Sequence, residues 1–317
     1  MTILTDLRRR TRSWHALSLH SAAVYSVLAL LCVAAMLIDR RTLMGAPIWV
    51  KPLKFAVSGA LYFFTWSWLI SLLPRFRRAA SVLTNILVVT FAGEYVLLVF
   101  QAARGRASHF NNATPLDNTI FQIMGGMVAA LWLATLALTV LIMFSKVEDR
   151  AAYWAVRAGA VVSLLGLALG FLMTSPTALQ MAQLNAGGHP DMIGAHTVGL
   201  SDGGPGLPIL GWSTVAGDLR IPHFVGMHAL QALPLLAIGL GLLATRFPKL
   251  RDAGVRTRLL LVGAFGYAGV VALVTWQALR GQSIVHPDSR TLLAALTLAA
   301  VVAAGSVASV KLRVAAR

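Results

Sequence analysis

The chain alternates between long, unbroken apolar runs and short polar connections. The runs fall near 15–38, 53–73, 80–102, 118–144, 153–174, 223–244, 258–279 and 291–311. Each is close to the ~20 residues needed to cross ~30 Å of hydrocarbon. They are rich in Leu and Ala and do not alternate polar with apolar, so they read as helices rather than barrel strands. Lipid cannot hydrogen-bond a bare backbone, and helices satisfy their own. The pattern predicts an all-α integral membrane protein of about eight transmembrane helices.

Composition supports this. The 317 residues are 57% hydrophobic and 12% charged, against roughly 25% charged in a soluble protein. The net charge is +16. The basic residues sit in short clusters between apolar runs, as topology determinants and lipid anchors do, which argues against nucleic acid and for the bilayer as the principal partner. The single cysteine, Cys32, excludes an intrachain disulfide and a Cys-based zinc site. The basic start, Arg8 to Arg12, precedes a run from Ala16 to Ile38 that is too long for a signal peptide and reads as a retained first helix.

Lys and Arg divide unevenly between alternate connections. One set comprises the N-terminal segment, Arg75 to Arg78, Lys146 to Arg157, Arg246 to Arg258 and the tail from Lys311; it carries 18, and the other set carries 9. The positive-inside rule then predicts a bacterial-type inner membrane protein with both termini cytoplasmic. The longest connection, 175–222, is Gly- and Pro-rich and is expected to fold over the outer mouth.

Local sequence recurs. Gln101-Ala-Ala-Arg104-Gly105 matches Gln277-Ala-Leu-Arg280-Gly281, Pro47 matches Pro222, and Asp117 and Asp288 both precede a helix. The offsets suggest two four-helix halves in parallel pseudo-repeat, 1–145 and 146–317, the second including the 175–222 loop. An Arg-Gly helix end is also ordinary capping chemistry.

Ionisable residues inside the membrane are functional candidates because lipid makes them costly. Glu94 lies within the third span, with Gln101 and Arg104 farther along the same helix, and Lys54 enters the second span from the same side. A structural Lys54–Glu94 pair stands beside a proton or ligand role. His109 lies in the connection after Arg104.

Six of eight histidines, and eight of nine methionines after the initiator, fall toward the predicted outer side. Imidazole and thioether suit Cu(I) or haem iron. His223, Met227 and His228 are the metal-ligand candidates, with His228 and Gln231 on one helix face. A closed outer chamber lined by Glu94, Gln101, Arg104, His109, Gln231, Arg280 and Lys54 is the expected site.

Two four-helix halves with outer histidines are similar in architecture to haem A synthases and to periplasm-facing copper-resistance membrane proteins. No motif matches residue by residue, so no site is carried over. The sequence supports a haem- or copper-binding membrane oxidoreductase or metal-handling protein. The alternatives are a non-catalytic assembly or structural protein and a small-solute transporter.

Overall fold

The computed structural model describes residues 13–311. The basic N-terminal cluster (Arg8, Arg9, Arg10, Arg12) and the tail residues Arg313 and Arg317 lie outside them. The fold is all-α apart from two short strand pairings among the described residues. Among the described residues, seven helices are long and apolar enough to cross a membrane, and one bent pair makes an eighth if counted as a single span. This is the architecture of a polytopic membrane protein. Large apolar side chains such as Leu30, Ile38, Val89, Leu293 and Leu296 point outward, which suits lipid as the surrounding solvent.

The chain forms two compact units: 1–145 with 174–195, and 146–173 with 196–317. In the first, α1 (Ala16–Ile38) leads to a hairpin of β1 (Thr42–Leu43) and β2 (Ala46–Pro47). Met44 and Gly45 turn it with φ of 51° and 77°, the twist that a tight two-residue turn requires. Asp39 anchors the hairpin, accepting from Arg41 at 2.7 Å and from the Trp49 indole at 2.9 Å.

Next come α2 (Val50–Ser71), α3 (Arg77–Ala103) and α4 (Pro115–Met143). α3 stops where Gly105 turns with φ 71°. α4 starts on a Thr114 cap with Pro115 in its first turn, the favoured arrangement of cap and proline. The core includes Phe63, Trp66, Leu69, Leu87, Leu98, Met124 and Leu138, all fully buried. α6 (Ala178–Asn185) also belongs to this unit. It is capped reciprocally by Thr177 and Gln180, and the Gln180 amide clamps both backbone groups of Gly194.

In the second unit, α5 (Arg150–Leu169) is capped by Asp149, and β3 (Thr197–Val198) pairs with β4 (Gly217–Asp218). α7 (Arg220–Met227), α8 (Ala229–Leu243), α9 (Ala253–Leu279) and α10 (Ser289–Lys311) follow. Small residues bring the helices close: Ala151, Ala155, Ala237 and Ala264 pack with Leu233, Leu240 and Leu260.

The sixth expected span is broken rather than continuous. α7 and α8 meet at His228 with a 44° bend, so His228 does not sit on a regular helix. Side chains from neighbouring helices take up backbone carbonyls at the break. The Tyr267 hydroxyl donates to Val225 O at 2.6 Å and the Ser163 hydroxyl to Met227 O at 2.7 Å. Such insertions into the ladder are a known cause of sharp kinks. Pro234, inside α8, removes one further backbone donor.

Candidate functional site

The most informative cluster lies in the first unit, at the end that carries the hairpin and the 104–114 connection. Glu94 is nine residues before the end of α3, roughly 14 Å along the helix. It is 3% exposed. The His109 imidazole approaches it, with Nε2 3.2 Å from Oε1. Neither Glu94 oxygen accepts a hydrogen bond of good geometry among the described residues. A buried carboxylate left in that state requires an explanation, since buried polar atoms are nearly always satisfied.

The other face of the imidazole is also occupied. Nδ1 lies 3.1 Å from Lys51 Nζ and 3.0 Å from the Ser108 hydroxyl. Both can donate, so the ring fits the neutral tautomer that carries its proton on Nε2, toward Glu94. Burial, and then the Lys51 charge, push the His109 imidazole below its ordinary value, while Glu94 acts the other way. Phe55, Phe110 and Phe121 surround the ring with centroids 5.9, 6.0 and 6.4 Å away.

His109 reaches this position because its loop folds back into the unit. Phe110 is buried at φ 62°, a left-handed conformation that bulky residues rarely adopt. Backbone pairing holds it there. Ile193 N donates to Phe110 O at 2.8 Å and Asn112 N to Asp191 O at 2.7 Å, with Asn111 bridged to Met192. The first part of the long 175–222 connection thus packs on this loop.

Beside this cluster, Gln101 and Arg104 form a brace. Asp117 is fully buried. It accepts from Gln101 at 2.9 Å, Arg104 at 2.8 Å and the Thr114 hydroxyl at 2.7 Å. Arg104 also stacks on Phe100, 5.4 Å from its centroid. These groups tie the end of α3 to the start of α4.

In the second unit, His223 Nδ1 lies 2.9 Å from Gly166 O and His228 Nδ1 lies 3.2 Å from Gln231 Oε1. Partners of this kind can orient a ligating imidazole. However, no group of three His, Cys, Asp or Glu able to hold a metal ion occurs among the described residues. The haem or copper site expected around His223, Met227 and His228 therefore lacks further ligands of these types. Arg280 pairs with Asp288 and lies over Trp276, 4.4 Å from its centroid. In the loop, Asp202 accepts from His196 Nδ1 at 2.6 Å and from the His196 and Thr197 amides. Burial alone would raise its carboxyl, but these hydrogen bonds and the His196 charge hold it well below the usual range.

The residues expected from sequence thus divide between units. Lys54, Glu94, Gln101, Arg104 and His109 belong to the first, and His223, Met227, His228, Gln231 and Arg280 to the second. Lys54 was the expected partner of Glu94; His109 stands at ion-pair distance from Glu94, and Lys54 has interactions of its own. Sequence reasoning missed Lys51, Ser108 and the bracing role of Asp117. Lys51 carried a usable signal, since it lies three residues before Lys54 and therefore on the same helical stripe. Compared with known proteins, the chain matches no family model, no curated protein and no solved structure.

Proposed function

We propose that the protein handles protons in the membrane, with Glu94 and His109 as the exchanging pair and Lys51 as the positive charge that sets their balance. The observation that carries this reading is the buried Glu94 carboxylate. It accepts no hydrogen bond of good geometry among the described residues, yet stands 3.2 Å from an imidazole whose other nitrogen faces an ammonium. A proton arriving at His109 Nδ1 makes the ring an imidazolium. Release from Nε2 to Glu94 Oε1 restores the neutral ring and leaves a neutral carboxylic acid. One proton moves inward and no electrons change hands. An imidazole suits the task because its ordinary value lies near neutrality.

In this reading the protein lies in a bacterial-type inner membrane with both termini cytoplasmic, and the 104–114 loop faces outward. The test is pH-difference infrared spectroscopy of the protein in lipid. A protonated-carboxyl stretch should be present in the wild type, absent in Glu94→Gln and displaced in pH by His109→Gln. An unchanged carboxyl band in Glu94→Gln would remove the proposal.

A second reading is favoured by a different observation. Arg41, Arg104, Arg220 and Arg280 each meet an aspartate, at Asp39, Asp117, Asp218 and Asp288 respectively. Such pairing supports an assembly or structural role in which the polar layer orders its own loops. It accounts for the arginines and leaves Glu94 unexplained.

A further inference from the structure

The proton reading leaves open how Glu94 communicates with the end of the first unit opposite the hairpin. Two buried polar atoms in that direction, Trp66 Nε1 and Thr139 Oγ1, make no hydrogen bond of good geometry among the described residues, the indole N–H lying close to the Tyr62 hydroxyl. Both residues are almost fully buried, at 0% and 4% exposure. Their placement is ordered. α2 and α4 run in the same direction, being separated by one antiparallel helix. The Tyr62 hydroxyl meets Thr135 Oγ1 at 2.7 Å. Thr135 uses its own proton on Leu131 O, so Tyr62 is the donor and its oxygen still has lone pairs. Tyr62 to Thr135 is an offset of 73 residues, and Trp66 to Thr139 is again 73. The unsatisfied pair therefore lies one helical turn beyond the satisfied one, on the same facing stripes. The Trp66 indole packs edge-on against the Tyr62 ring, 6.3 Å between centroids.

On the other side, Glu94 lies level with Met127, since a Cβ on neighbouring Gly93 would meet the Met127 methyl at 2.7 Å. From that level to Thr135 is eight residues, or about 12 Å. Helical side chains lean toward their own N-terminus. Tyr62 and Thr135 therefore lean toward the hairpin end, and Glu94, on the antiparallel α3, leans the opposite way. The groups lean toward one another. Half-buried Ser58 stands one turn from Tyr62 on the same stripe, between the two levels. Lipid-facing packing gives no reason to line this seam with an indole N–H and four hydroxyls.

We propose, resting on the proton reading of Glu94, that this seam is a hydrated proton path. Water is held at Trp66 Nε1 and Thr139 Oγ1, and the Tyr62–Thr135 pair continues the path toward Glu94. Buried water takes such positions when it finds two to four polar partners. With the His109 relay, the path extends proton access across the first unit.

The experiment uses the full chain in liposomes with an internal pH dye and a potassium diffusion potential. Wild-type protein should raise proton flux above that of protein-free liposomes. Tyr62→Phe and Thr139→Val remove one hydroxyl each with little change of shape. Each should reduce the flux to the protein-free level while leaving the Glu94 infrared band in place, which also shows that the variants are folded. Trp66→Phe should do the same and provides a third independent variant. If the Glu94 band persists and the flux is absent, or unchanged in all three variants, the path is overturned and the Glu94–His109 exchange stands. If the band itself is missing in the wild type, both fall.

Discussion

Gln101 and Gln277 do the same thing at two helix ends. Each donates its side-chain amide to the carbonyl six residues on: Gln101 to Ala107 O at 3.3 Å, and Gln277 to Ser283 O at 2.8 Å. In both places a backbone N–H returns to the glutamine carbonyl, from Arg106 and Gln282. The following Arg lies over the aromatic ring four residues before it, and the following Gly turns with φ 71°. Agreement at this level of detail exceeds what an ordinary Arg-Gly helix end requires, and it motivates the proposed duplication.

The first prediction follows from the partners of that motif. Asp117 is fully buried and Asp288 lies at an exposed ion pair, with side-chain exposures of 0% and 37%. Removing one partner of a buried pair typically costs ~3–5 kcal/mol, whereas an exposed pair contributes ~0–1 kcal/mol. Asp117→Ala should therefore lower the thermal unfolding midpoint in detergent far more than Asp288→Ala. Combining Arg104→Met with Asp117→Leu should recover part of the loss. Equal effects from the two single changes would show that the two joints do not differ as their burial implies.

The spans were legible because each apolar run is long enough to cross lipid without help from its neighbours. The break at His228 was not, because it depends on donors from Tyr267 and Ser163, 39 and 65 residues away in sequence; only Pro234 hinted at it. Glu94 stood out from its cost in lipid alone. Its partner did not, because His109 arrives from a connecting loop. That loop is held by a left-handed Phe110 and by pairing with residues 191–193. Neither leaves a periodic trace in the sequence.

The second prediction concerns pH. Burial and the Lys51 charge hold His109 below its ordinary value in the folded protein. The unfolded chain takes up a proton near pH 6.5 and the folded chain does so only at lower pH. The stability this provides is complete above about pH 6.5 and falls as the pH drops toward the folded value, by at most about 1.4 kcal/mol per pH unit. Unfolding midpoints between pH 7 and 5 should therefore decline less steeply in His109→Gln than in the wild type. A steeper decline in the variant would mean that His109 is held protonated.

The third prediction tests the helix crossing beside the break. A Cβ on Gly166 would meet the Gly226 carbonyl carbon and the Met227 nitrogen at 2.3 Å, whereas one on Gly125 would meet nothing within 4 Å. The obstacle is backbone and cannot rotate away. Gly166→Ala should cost ~1–3 kcal/mol through overpacking. Gly125→Ala should be neutral or stabilising by about 0.5–1 kcal/mol, because it relieves the helix of a flexible residue. The comparison is read from thermal unfolding of the two variants in the same detergent. A neutral Gly166→Ala would show that α5 and α7 do not approach as closely as the glycine pair allows.

The last prediction is orientation. The two sets of connections carry 18 and 9 Lys and Arg, and such a bias sets which side is cytoplasmic. The structure adds a reason for basic residues on the poorer side. Arg41, Arg104, Arg220 and Arg280, four of those nine, are each held by an aspartate. They serve the fold there and need not be counted as stray topology signals. On the richer side, Arg75 and Arg78 are exposed, as anchors facing anionic headgroups would be. Reporter fusions at Phe76, Asp149 and Asp252 should therefore read cytoplasmic, and those at Asn112, Gly204 and Asp288 extracytoplasmic. The Asp252 fusion is the most discriminating, because it follows the bent α7–α8 pair. If that pair enters and leaves on one side instead of crossing, Asp252 will report outside and Asp288 inside. That result would overturn the eight-span count and the parallel repeat together, while leaving the Glu94–His109 pair of the first unit untouched.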